Sequence, residues 1–189
     1  MEDTEIIELY LNGDKEAANI LVEKYKNDLY NFCSNLTKNS SDADELFQNT
    51  WIKAVKNIKG FNLNKSFKNW LFTICINTYK DEYRKKKRWL SVIKDYFTND
   101  EKDKEFNMAV DTEKILDEKI IEKEDTLNLR IFVNSLSDIF KVPIILFYFE
   151  EKSYDEISEI LEIPIGTVKS RLNSGKKKLK CMIEGDINE

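Results

Sequence analysis

Apolar residues return every three or four positions through most of the chain, the period of a helix with one face turned to a core. The spacing predicts a short helix over Asp3 to Leu11, closed by Asn12 and Gly13, with Asp14 placed to cap the next. A second helix runs from Lys15 to about Leu36, with Ala18, Leu21, Val22, Tyr25, Leu29, Phe32, Cys33 and Leu36 inward. A third starts at Ser41 or Asp42 and reaches about Ile58, burying Ala43, Leu46, Phe47, Thr50, Trp51, Ala54 and Val55. Gly60 ends it. A fourth spans Phe67 to about Arg84; its inner face is Phe67, Trp70, Leu71, Ile74 and Thr78, which turns Lys68, Phe72, Thr73, Ile76, Asn77, Lys80 and Arg84 outward.

The pattern fades between Trp89 and Asp125. From Ser91 to Asp125 there are twelve acids and six lysines, a local net of −6, so this stretch reads as a flexible acidic linker. Periodicity resumes at Thr126 with Leu127, Leu129, Ile131, Phe132, Val133 and Leu136, and a strongly apolar helix follows over Val142 to Phe149, with Pro143 near its start.

The most informative stretch is Ser153 to Leu179, SYDEISEILEIPIGTVKSRLNSGKKKL. Ser153 and Glu156 form an S-x-x-E capping box, and Ile157, Ile160 and Leu161 share one face of the helix it opens. Pro164 cannot continue that helix but suits the first turn of another. In the second helix Val168, Leu172 and Leu179 form a buried stripe, while Lys169, Arg171, Lys176, Lys177, Lys178 and Lys180 make the outer face cationic with no acid among them. Two short helices meeting at an angle, the second cationic, are a helix-turn-helix whose second helix suits a DNA major groove.

Composition narrows the rest. Gly 5, Pro 2 and 34% charged residues in 189 positions predict an all-α protein of two small helical domains, residues 1–89 and 126–189, joined by the acidic linker 90–125. The net charge of −5 hides a second cationic run, six basic residues from Lys80 to Arg88. His 0 excludes histidine-based triads and metal sites, so no cofactor or metal is expected. Cys33, Cys75 and Cys181 show no metal-ligand spacing and read as reduced thiols of a cytoplasmic protein. No signal peptide or membrane-spanning run is visible.

Two surfaces carry candidate chemistry besides the helix-turn-helix. Aromatic, amide and cationic residues mix from Phe61 through Arg84, which is what unpaired bases require: faces to stack on, amides for base edges, cations for phosphates. Trp70 suits the core better than a base platform, whereas Phe61 and Phe72 fall off the core stripe and are the stacking candidates. On the third helix, Asp42, Asp44, Glu45, Gln48 and Asn49 face outward. Their acids serve either the helix dipole or a basic partner, and periodicity does not separate the two.

Two separated stretches resemble one family, the extracytoplasmic-function class of bacterial sigma-70 family sigma factors. DADELFQNTW (Asp42 to Trp51), GFN and SFKNWLFTICIN between Gly60 and Asn77, and RKKKR (Arg84 to Arg88) resemble its region 2; PIILFYFEEKSYDEISEILEIPIGTVKSRL (Pro143 to Leu172) resembles its region 4. The resemblance implies a non-catalytic initiation subunit of RNA polymerase. It makes Asp42, Asp44, Glu45 and Gln48 a docking face for the β′ clamp coiled coil, and it places region 4 on the β flap. It implies that Phe61, Asn62, Asn64, Lys65, Trp70, Phe72, Asn77, Lys80 and Arg84 hold the promoter −10 element as a single strand. Thr167, Lys169, Ser170, Arg171, Ser174 and Lys178 would read the −35 element as duplex, Arg171 being suited to a bidentate contact with guanine. The family is commonly restrained by an anti-sigma factor. The acidic linker would lie in the RNA exit path.

Three positions depart from the family. Glu162 stands at a turn position usually held by glycine, Glu151 and Lys152 replace a glycine-containing pair, and Asn49 follows Gln48 where a glutamate is common. A free-standing regulator with its own helix-turn-helix, and a DNA-processing enzyme using the acids of Asp42 to Glu45, are the competing readings.

Overall fold

The computed structural model describes residues 1–98 and 124–186, and the described residues form helices with no strand. In order these are α1 (Asp3–Leu11), α2 (Glu16–Leu36), α3 (Ser40–Asn57), α4 (Phe67–Thr98), α5 (Glu124–Ser135), α6 (Asp138–Tyr148), α7 (Tyr154–Leu161) and α8 (Ile165–Asp186), with one turn of 3-10 helix at Ile58–Gly60. Most of the expected acidic linker lies outside the described residues.

The first four helices make one bundle. In α1, Ile6 and Ile7 are buried, and Asp3 ties the helix to α2 by accepting from the Tyr25 hydroxyl at 2.6 Å and pairing with Lys24 at 2.7 Å. Leu21, Leu29, Phe32 and Leu36 of α2 meet Leu46 of α3 and Leu71 of α4 in a continuous core. Cys33 and Cys75 are buried there as free thiols, sulfur to sulfur at 3.6 Å; that contact and burial push the Cys33 thiol up, so it stays protonated.

The fourth helix departs from its expected shape in two ways. It runs on to Thr98, because no glycine or proline follows Gly60 to stop it and its lysines, arginines and leucine favour helix. Its buried arc is also wider: Phe72 and Ile76, expected outside, are 0% and 1% exposed, while Trp70 is half-buried. A helix wedged between α2 and α3 buries two flanks, and a single-stripe reading captures only one. Phe72 stacks on Phe32 with ring centroids 4.3 Å apart and planes at 18°.

In the second unit, α6 starts at Asp138, four residues before the expected Val142, since Ser137 accepts from the N–H groups of Phe140 and Lys141 at 2.9 Å and sets the first turn there. Val142 through Leu146 are all buried. The fifth helix contributes less than expected: Val133 and Leu136 are buried, but Leu129 and Ile131 are exposed, because α5 lies at the edge of this unit. In α8, Gly175 passes so close to α6 that a Cβ there would meet the Ile144 side chain at 3.1 Å.

The two units pack on each other. Thr73 of α4 donates to the carbonyl of Ile160 in α7 at 3.3 Å, Asn69 donates to Glu156 at 3.3 Å, and Lys65 pairs with Glu159 at 2.8 Å.

Candidate nucleic-acid interface

The helix-turn-helix is built as its sequence dictates. The Ser153 hydroxyl accepts from the Glu156 N–H at 3.2 Å, and the Glu156 carboxylate accepts from the Ser153 N–H at 3.0 Å, so both halves of the capping box are made. Burial alone would push the Glu156 carboxyl up; hydrogen bonds from Ser153 and Lys152 outweigh it and hold it down at about 2. After α7 the chain reverses through Glu162, which sits in the left-handed region at φ 54 and ψ 44. That conformation costs a side-chain-bearing residue roughly 1 kcal/mol. The Ser158 hydroxyl steadies the turn by donating to the Ile163 carbonyl at 2.6 Å. Glu151, at the other departure from glycine, also has positive φ.

Along α8, Val168 and Leu172 are buried. Of the residues expected to face DNA, Lys169, Ser170 and Lys178 are exposed, and Thr167, Arg171 and Ser174 are half-buried. Sequence reading missed two tyrosines on the same rim. Lys169 stands 5.7 Å from the Tyr154 ring centroid and Lys176 5.7 Å from that of Tyr148, so phenols and ammoniums alternate beside the helix. Their spacing to the lysines exists only in three dimensions.

The aromatic loop before α4 is more closed than expected. Phe61 is 9% exposed and packs on Trp70 at 5.0 Å and on Phe67 at 5.6 Å; its apolar ring closes the base of the bundle where α4 begins. Asn62 and Asn64 are exposed at a tight turn in which the Asn62 side chain accepts from the Asn64 N–H at 3.0 Å. Asn77 and Arg84 are exposed and Lys80 is half-buried. The Lys80 ammonium is held below the usual lysine range by its burial, and then by the positive charges of Arg171 and Arg84. Phe72 is in the core and presents no face to a strand. Asn69 was not anticipated: it is 5% exposed, and its side-chain oxygen is buried without a hydrogen-bond partner.

On α3 the acids divide. The helix begins at Ser40, so the dipole argument reaches Asp42 alone, whose N–H donates to the Asn39 side chain at 2.8 Å. Asp44, Glu45 and Gln48 are exposed beyond the first turn. Asp44 accepts from Tyr30, which raises that phenol, and Tyr30 with Phe47 lines an open cleft of about 420 Å³ together with Lys26, Asn27 and Asn31. Asn49 turns away from this face and donates to Glu82 of α4 at 3.0 Å.

Glu150, after α6, carries the largest upward shift of any described carboxyl. Burial, reinforced by Asp28 and opposed by Lys68 and Lys152, pushes it up to about 7. The unfolded chain therefore releases this proton first as pH rises, and stability present below about pH 4.5 is lost by about pH 7. Replacing Glu150 by glutamine is expected to stabilise the fold at pH 8 by on the order of 1 to 2 kcal/mol in urea unfolding, and to change nothing at pH 4. An equal gain at both pH values would contradict the shift.

Among the described residues no three histidine, cysteine or acidic side chains converge as a metal site, and no helix is long and apolar enough to cross a membrane.

Residues 21–89 match the family described as Sigma-70 region 2, and residues 132–179 match Sigma-70, region 4. The chain is 31% identical over 173 residues to the ECF RNA polymerase sigma factor SigW of Bacillus subtilis, spanning 89% of each chain. It is 25% identical over 184 residues to the ECF RNA polymerase sigma-E factor of Haemophilus influenzae, covering 97% of this chain and 96% of that one. Its fold is similar to that of the sigma factor RpoE from Bartonella quintana, solved with the anti-sigma factor NepR, at a TM-score of 0.68, 23% identity and coverage of 89% and 98%. The chain belongs to the sigma-70 family, in its extracytoplasmic-function class. It is accordingly an alternative sigma factor for RNA polymerase, a DNA-associating protein of transcription initiation.

Proposed function

We propose that this sigma factor directs core polymerase by reading a promoter at two places, −35 as duplex and −10 as single strand, with no catalysis of its own. The observation that carries the reading is that one chain holds both a helix-turn-helix with a cationic α8 and an aromatic, amide and cationic face at the start of α4. Thr167, Lys169, Ser170, Arg171, Ser174 and Lys178 read or clamp the −35 duplex. Asn62, Asn64, Lys65, Trp70, Asn77, Lys80 and Arg84 hold the −10 strand, with Phe61 as a ring beneath the loop. Asp44, Glu45 and Gln48, with Asp42 at the helix start, dock on the β′ clamp coiled coil, and the second unit docks on the β flap. The functional division is 1–89, 90–125 and 126–189, and the protein acts in the cytoplasm. The sigma factor of similar fold solved with the anti-sigma factor NepR supports such a partner here.

Reconstitution with core RNA polymerase should yield transcripts from specific promoters; absence of core binding would defeat the reading. A free-standing regulator would instead bind duplex DNA specifically without polymerase. Within the complex, Arg171→Ala is expected to cost about 1 to 3 kcal/mol of −35 discrimination. A uniform loss on every sequence would reassign Arg171 to phosphate.

A further inference from the structure

The first helix stands ahead of the residues that match region 2, which begin at 21. It is fastened to the bundle by more than its buried Ile6 and Ile7. Asp3 accepts from the Tyr25 hydroxyl at 2.6 Å and from the Lys24 ammonium at 2.7 Å. Burial, and then that hydrogen bond, push the Tyr25 phenol above its ordinary range, so it remains a donor.

Tyr25 is also the outer end of a run of four rings. Its centroid lies 5.3 Å from that of Phe67, the first residue of α4. Phe67 in turn lies 5.6 Å from Phe61 and 5.5 Å from Trp70, and Phe61 lies 5.0 Å from Trp70. Tyr25, Phe61 and Phe67 are each at most 9% exposed. Interiors packed like this hold few voids, so displacing one ring displaces the next.

The run ends on the loop assigned to the −10 strand. Phe61 and Phe67 flank positions 62–66, so both ends of the loop stand on the ring cluster, and Leu63 within it packs half-buried against the core. The loop's own turn is light: the Asn62 side chain accepts from the Asn64 N–H at 3.0 Å, and the Asn62 carbonyl accepts from the Lys65 N–H at 2.9 Å. Where Asn62, Asn64 and Lys65 point is therefore set largely by where the two flanking rings stand.

We infer that α1 is a working part of the −10 module: Asp3, acting through Tyr25 and Phe67, sets the loop over 62–66, which makes Asp3 and Tyr25 positioning residues for strand capture. This rests on the reading that the loop takes the −10 strand.

Two substitutions cut the brace at one bond. Tyr25→Phe keeps the ring and loses the donor; Asp3→Ala loses the acceptor. In the full-length chain, hydrogen–deuterium exchange read by mass spectrometry should quicken about five-fold in the peptide holding 62–66 in either variant. Combining the two should add nothing, since both break the same bond. The peptide over α3 should be unchanged. Lys24→Gln, which removes only the half-exposed ion pair, should leave the loop at the wild-type rate. On promoters found by reconstitution with core polymerase, permanganate reactivity of the melted −10 thymines should fall about three- to ten-fold in Tyr25→Phe, with core affinity unchanged.

Loop exchange at the wild-type rate in both variants would overturn the inference, as would additive effects or an equal quickening over α3. Should Asp3→Ala fail to fold by circular dichroism, Tyr25→Phe decides the outcome, because it keeps the buried ring. The exchange measurement needs no polymerase or promoter. Quickened exchange with undiminished −10 melting would sink the assignment of the loop to the strand and leave the brace standing, whereas specific transcripts with unchanged exchange would sink the brace alone.

Discussion

Replacing Phe72 with alanine should lower unfolding stability by about 3 to 5 kcal/mol, seen as a shifted urea midpoint. The ring is fully buried and lies 4.3 Å from Phe32, so truncation leaves a cavity between α2 and α4. Total stability of a small domain is roughly 5 to 15 kcal/mol, which makes this loss a large share of what holds the first bundle together. The alternative is specific: a Phe72 that lined a DNA strand would leave the urea midpoint alone and weaken single-strand binding. An unshifted midpoint would return the residue to the surface.

Reversing Asp44 and Glu45 together to lysine should cost on the order of 2 to 4 kcal/mol in affinity for core polymerase, since two positive charges would face a basic partner. Both are exposed beyond the reach of the helix dipole, so the fold has little need of them. Asp42 is a poorer choice for this test because its backbone N–H is part of the α3 cap. Circular dichroism should match wild type while a core-binding titration weakens and grows sensitive to salt. Undiminished core affinity would remove these acids from the docking face.

Much of the fold was legible because its determinants are local. The Ser153 and Glu156 capping box lies within four residues, and both of its bonds are present. Glycine and asparagine closed α1 where Asn12 and Gly13 stand. What sequence reading lost was set by neighbours distant in the chain. Phe72 and Ile76 fall outside a one-stripe pattern, and only the position of α4 between two helices buries them. Leu129 and Ile131 fit the stripe, yet α5 lies at an edge and leaves them exposed. The strained turn at Glu162 could be named from the missing glycine, and its left-handed backbone is present. The burial of Lys141 had no such signal: a lysine in an apolar run looks like a surface residue until its ammonium meets the Leu36 carbonyl, 105 positions away in sequence, at 2.8 Å.

Gly175 sits at mid-length in α8, and the side chain of Ile144 approaches to within 3.1 Å of where its Cβ would be. Eight residues separate it from Thr167, roughly 12 Å at 1.5 Å per residue. The glycine is therefore the fulcrum of a lever whose far end carries the side chains proposed to enter the groove. A bulkier residue there would lift the fulcrum by tenths of an ångström and tilt the tip, so the reach proposed for Arg171 toward a base pair depends on a position with no side chain at all.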